Sequence, residues 1–274
     1  MKKKLKKKIK KIQKGYLLIA LFAVIIILLG LGFFKDTKPI YKIEDRKAKF
    51  EAAKKEFDDD NTTTVGWLRV QGTNIDYPIV SLEDYNDLAT LSSITNNYLI
   101  NNNSKELLLN KVDILGHNII NLSSNPKINS PNFTKFEGLM AFIYPNFVKE
   151  NKYIQYRVNG KDYLYKIYAV RIQDSYKGIE TINLTNYTKE DTKKYLEKVK
   201  KDSIYKFDVD TRDDDNLISL ITCTRFFGPD KEAAFVVDAR MLREKEKVRN
   251  YSVKTTDNYE KIKKYMEKGD EIAG

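Results

Sequence analysis

The 274-residue chain has one cysteine, Cys223, and one histidine, His117. A single thiol cannot form an internal disulfide, so a domain outside the cytoplasm would have to rely on its core. The first fifteen residues hold no acid and nine lysines, and the next nineteen, Tyr16 to Phe34, hold no charge at all. No internal repeat is visible. The net charge is +11. It belongs almost wholly to the lysine arm, because removing those nine lysines leaves only +2. No basic stripe with interleaved aromatics remains to neutralise phosphates, which argues against nucleic-acid binding.

Residues 16–34 are what the chain has in their place. As a helix, nineteen uncharged residues span roughly 28 Å, about one hydrocarbon core. A cleaved signal peptide would have a shorter apolar region, ~7–15 residues, ending at an Ala-x-Ala-like site. Here only Gly30-Leu31-Gly32 offers small residues. The segment is therefore expected to be an uncleaved anchor, with the lysine arm 1–15 in the cytoplasm and the rest of the chain outside the cell. The roughly 240 remaining residues suffice for one core. An unpaired thiol exposed to oxidation there is one more reason to expect it to be used.

Residues 35–61 are expected to form a helical extension. Ile43, Phe50 and Phe57 recur every seven residues, which places them on one helical face that should pack on the domain. Asp58-Asp59-Asp60-Asn61 ends that helix. From Val65 the pattern changes to short apolar runs. Strands are predicted at 67–70, 75–80, 107–115, 217–222 and 233–239, and 132–144 mixes helix and turn signals. A hairpin is predicted from 153–158 and 163–170, joined by Asn159-Gly160, which suits a type I′ turn. A helix is predicted over 188–200 with Tyr195, Leu196 and Val199 on one face. In the charged tail 246–274, another is predicted over 257–268, with Asp257 and Glu260 as a capping box and Gly269 past its end. The sum is a mostly antiparallel β domain with helices in its connections.

Cys223 follows Leu217-Ile218-Ser219-Leu220-Ile221-Thr222, and His117 follows Val112-Asp113-Ile114-Leu115-Gly116. A thiol nucleophile needs a base or ion-pair partner, usually imidazole. With one candidate of each, the pairing is forced if a Cys/His site exists. The alternative is a buried cysteine acting as a small hydrophobe and a histidine in a turn.

These segments, taken in order, resemble the class B sortases, membrane-anchored cysteine transpeptidases of Gram-positive bacteria. Val65 to Val80 looks like the opening strands. Ile114-Leu115-Gly116-His117-Asn118 looks like the histidine motif, with leucine where tyrosine is common. Phe147 to Ile154 and the hairpin fit the next segment, and the helix before Asp202-Ser203-Ile204-Tyr205 fits the class B insertion. Leu220-Ile221-Thr222-Cys223 looks like the cysteine motif. The likeness covers roughly residues 40–245. It implies an eight-stranded sortase β-barrel over 62–245, with N-terminal helices, a helix inserted before the cysteine strand and one preceding transmembrane helix. The implied enzyme cleaves an Asn-Pro-x-Thr or Leu-Pro-x-Thr-Gly-like C-terminal sorting signal of a secreted protein. It then joins that protein to an amine of a lipid II-type cell-wall precursor through a thioacyl enzyme. No metal or organic cofactor is implied. Cys223 and His117 would carry the chemistry, and Leu115, Ile221, Thr222 and Thr224 would contact substrate.

One position departs from the pattern. The family places an arginine immediately before a Phe-Val-Val-like run, and here Ala234 precedes Phe235-Val236-Val237, with Ala233 no better. Alanine cannot donate the hydrogen bonds that arginine gives to substrate or oxyanion. If the strand persists past Cys223, Arg225 faces the same side and is the nearest replacement. It could equally be a solvated loop residue, since Gly228-Pro229 turns the chain soon after. Arg240 is six strand residues past Ala234, roughly 20 Å away. The departure leaves a second reading: a degenerate sortase-like module that binds sorting signals or wall precursors with little turnover.

Overall fold

Asn159 and Gly160 both take positive φ, 50° and 74°, the geometry of the type I′ turn that an Asn-Gly pair favours. They join strand β5 (Tyr153–Val158) to β6 (Lys161–Asp174), which is longer than its apolar run indicated. A computed structural model describes residues 40–60, 62–82, 99–101, 111–118, 131–132, 135–174, 188–228 and 230–266. The expected anchor 16–34 lies outside them. Among the described residues no helix is long and apolar enough to cross a membrane.

The other strands are β1 (Thr62–Val70), β2 (Asp76–Leu82), β3 (Leu99–Asn101), β4 (Lys111–Gly116), β7 (Tyr205–Phe207), β8 (Leu217–Thr224), β9 (Ala233–Met241) and β10 (Val253–Thr255). They form a closed barrel in the order β1-β2-β3-β4-β8-β9-β6-β5, and β7 and β10 pair separately. Most neighbours are antiparallel, but β2 runs parallel to β3 and β4 to β8. Side chains alternate across each strand. Ile218, Leu220, Phe235, Val237, Val112 and Ile114 belong to one buried core, and on β8 only Cys223 is exposed.

Helix α1 (Lys47–Phe57) begins later than its pattern indicated and packs on β1 differently. Its buried residue is Ala53, whereas Ile43 precedes the helix and is 44% exposed. Charge holds this region to the barrel. Asp76 of β2 accepts from Arg46 Nε at 2.9 Å, Lys49 Nζ at 3.0 Å and Trp67 Nε1 at 2.6 Å. A 3-10 helix (Lys135–Ile143) and the short α2 (Pro145–Glu150) fill the mixed segment. Helix α3 (Lys189–Asp202) carries a Thr188/Asp191 capping box and buries Tyr195, Leu196 and Val199 as its spacing requires.

Helix α4 (Asp257–Lys263) is shorter than predicted. Its N-cap is Thr256 with no side-chain cap bond, so the expected Asp257/Glu260 box does not form. Residues Tyr41–Gly274 make one compact unit. Within it, the stretch after β9 is tied down at Glu246, which accepts from Arg240 Nη1 at 2.7 Å and Lys166 Nζ at 2.8 Å.

Candidate active site

Parallel β4 and β8 end at the same rim of the barrel. Their register pairs Leu115 with Ile221 and Gly116 with Thr222. His117 and Cys223 each follow that last pair, so the same register carried one residue further would set them side by side on one face. The histidine segment is seated from below. Phe136 N–H donates to the His117 carbonyl at 3.1 Å, and the Thr222 hydroxyl donates to the Gly116 carbonyl at 2.8 Å. Gly116 must be glycine, because a Cβ there would lie 2.1 Å from Cγ of the Phe136 ring.

Cys223 reaches solvent. Desolvation by the surrounding protein pushes its thiol above the ordinary value. The Asn118 and Cys223 backbone N–H groups, which donate to the sulfur, pull it down. Glu232 adds an upward push and Arg225 a downward pull. The half-buried His117 is pushed below the usual imidazole value, first by desolvation and then by the Lys135 charge, with Glu137 opposing. Both shifts favour the neutral thiol and neutral imidazole at rest. Among the described residues no group of three or more His, Cys, Asp or Glu could hold a metal ion.

The other expected site residues divide by strand parity. Leu115 and Ile221 share the Cys223 face, where Ile221, Ala234 and Val236 form a small apolar cluster with Leu115 packed against it. Thr222 and Thr224 fall on the opposite face and are buried, which separates them from the cysteine.

Ala234 pairs directly with Cys223 across the β8–β9 ladder, so the alanine sits beside the cysteine. Strand β8 ends at Thr224, yet Arg225 stays close enough for its charge to act on Cys223. Thr224 pairs with Ala233, and in the next row Arg225 Nη2 lies 3.4 Å from Glu232 Oε1. Arg171 is a further guanidinium on this face, but it is fully buried and turned to Asp238, with Nε to Oδ2 at 2.7 Å. Arg240 is likewise tied elsewhere, to Asp210 Oδ1 at 3.1 Å and to Glu246.

Sequence reasoning missed two participants. Glu232 could have been found by extending the Cys223–Ala234 register by two residues. The Asn118 N–H could not, because any residue type supplies it.

No protein-family profile matches the chain. Among curated proteins, the chain is 30% identical over 173 residues to Sortase B of Listeria monocytogenes, a match covering 60% of this chain and 63% of that protein. It is 23% identical over 183 residues to Sortase B of Staphylococcus aureus, covering 65% and 70%. Among solved structures, it is similar to a mutant form of Clostridium perfringens sortase B, with 26% identity and a TM-score of 0.57, covering 72% of this chain and 89% of that one. A Staphylococcus aureus sortase B–substrate complex matches with 20% identity and a TM-score of 0.55, covering 72% and 86%.

Proposed function

We propose that the chain is a class B sortase, a cell-envelope cysteine transpeptidase acting on secreted proteins with C-terminal sorting signals. The observation that supports the reading is the parallel β4–β8 register, whose last pair, Gly116 with Thr222, immediately precedes His117 and Cys223. Cys223, as thiolate, attacks the carbonyl carbon of the threonine in an Asn-Pro-x-Thr or Leu-Pro-x-Thr-Gly-like signal. His117, as imidazolium, protonates the departing amine, leaving a thioester on Cys223. An amine of a lipid II-type wall precursor then gives a proton to His117 and attacks the thioester. The new amide forms and the thiolate leaves.

Arg225 is the side-chain donor this reading places at the developing oxyanion, in the role that Ala234 cannot fill. Leu115 and Ile221 would form the apolar wall of the substrate groove. Residues 16–34, as a membrane anchor, would keep the domain on the outer surface, near exported substrates and lipid-linked acceptors.

The test is Cys223→Ala in the full chain with a sorting peptide. Cleavage should vanish while the fold, read by circular dichroism, stays intact, because the change removes one sulfur. Wild type should form a covalent adduct at Cys223 with an analogue of that peptide. Undiminished cleavage by the alanine variant would end the proposal. A covalent adduct without turnover would favour the degenerate binding module, whose support is the Ala234 departure.

A further inference from the structure

The chain does not stop at the last barrel strand. Past β9, residues 253–255 pair antiparallel with 205–207, and helix α4 follows. Three hydrogen bonds fasten this segment to the end of α3 and the start of β7. Thr256 N–H donates to the Ile204 carbonyl at 3.1 Å, Thr256 Oγ1 to the Ser203 carbonyl at 2.9 Å, and Asn258 Nδ2 to the Lys201 carbonyl at 2.8 Å. So anchored, the segment carries Tyr265 onto the loop that follows Cys223. The Tyr265 ring meets Phe227 edge-on, with centroids 5.2 Å apart at 81°, and Phe226 at 6.1 Å. Phe226 is fully buried and meets Phe227 at 5.5 Å.

Phe226 is the residue after Arg225, and the Gly228 N–H closes the turn onto the Arg225 carbonyl at 2.9 Å. Beside the aromatic contact lies an open cleft of about 630 Å³ lined in part by Gln173, Phe227, Ile262 and Tyr265. On that flank Phe227 meets Tyr265 beside the cleft, while Phe226 is packed into the main core. Edge-to-face aromatic contacts fix orientation as well as distance.

We infer that the C-terminal segment, through Tyr265, holds the Phe226-Phe227 turn so that the Arg225 guanidinium stays over the face of Cys223. This rests on the role given to Arg225 above. It makes Tyr265 a positioning residue that acts through Arg225.

Cys223 is the only cysteine in the chain, so alkylation of the full-length protein by iodoacetamide, followed by mass, reads this thiol without substrate. Arg225 lowers the thiol and Glu232 raises it. An Arg225 swung away leaves less thiolate at neutral pH, and His117 is unchanged across the variants. Tyr265→Ala should alkylate about threefold more slowly at pH 7, with its pH profile moved to the alkaline side. Tyr265→Phe should match wild type. Tyr265→Leu keeps apolar volume without a ring and should behave like the alanine variant, which covers the case in which alanine unfolds the segment. Arg225→Ala should slow alkylation similarly, and Tyr265→Ala/Arg225→Ala should be no slower than Arg225→Ala alone.

A wild-type alkylation profile in folded Tyr265→Leu would overturn the inference. So would a double variant slower by the product of the two single effects, since Tyr265 would then act independently of Arg225. A protein that alkylates as expected but cleaves no sorting peptide would refute the proposed reaction while leaving this placement of Tyr265 standing.

Discussion

Cys223 and Ala234 face each other across one ladder, and that pair separates this site from the arginine-bearing pattern. If Arg225 supplies the missing donor, Arg225→Ala should lose roughly 2–4 kcal/mol of transition-state stabilisation, about 10²–10³ in rate. Lysine at 225 should recover only part, lacking the planar fork. Ala234→Arg should restore activity to Arg225→Ala, because it returns a guanidinium beside the thiol. Steady-state cleavage kinetics of the three variants decide it, and normal rates in Arg225→Ala would remove this residue from the reaction. The pH profile is a second residue-scale outcome. The proposed reaction needs thiolate and imidazolium together, while the site pushes the thiol up and the imidazole down. The reactive pair is then a minority form whose population is flat between the two titrations. The kcat/KM profile should be a broad bell, with its acid limb below the ordinary imidazole range and its alkaline limb above the ordinary thiol range. Alkylation alone should show only the alkaline rise. A bell narrower than the unperturbed pair would give contradicts this.

At the scale of elements, the end of β4 is held by packing that tolerates no added atom. Gly116→Ala must push its Cβ into the base of the Phe136 ring, and neither strand nor ring can give way cheaply. It should cost about 1–3 kcal/mol of stability. It should also lower cleavage further, since Phe136 carries the hydrogen bond to the His117 carbonyl. Thermal melts alongside peptide cleavage test both halves. Gly116 also marks how far the sequence could be read. Periodicity found α3, the β5–β6 hairpin, β8 and β9, because each carries a long apolar run or a specific turn pair. It missed β3, β7 and β10, three residues each, whose pairing is decided by distant partners. It misjudged α1, where the Asp76 ion cluster replaces the expected phenylalanine face. At the candidate site, Cys223 and His117 stood out in the sequence because each is the single residue of its type. The sidedness of Thr222 and Thr224 needed only strand parity, but their place in the cysteine motif suggested substrate contact instead. The seat of Arg225 was not legible, because it lies past the end of β8 and depends on Phe226, Phe227 and Tyr265.

For the whole molecule, Tyr41–Gly274 forms one compact unit with its own core. Deleting residues 1–34 should therefore yield a folded, soluble and active domain, as judged by circular dichroism, size-exclusion chromatography and peptide cleavage. Aggregation or loss of the cooperative melt in that variant would show that the apolar segment belongs to the fold.

The placement of Cys223 within the barrel also bears on dynamics. β8 lies between β4 and β9 in a ring without free edges, and the hydrogen bond from Thr222 to Gly116 spans 106 residues of chain. No local fraying can open such a strand, so the amides of Leu220 and Ile221 should exchange with solvent only when the whole domain unfolds. The sulfur thus stands at the tip of one of the slowest-exchanging strands. Adaptation to different peptides and acceptors then has to come from the segments around Cys223, with the cysteine itself as the fixed point.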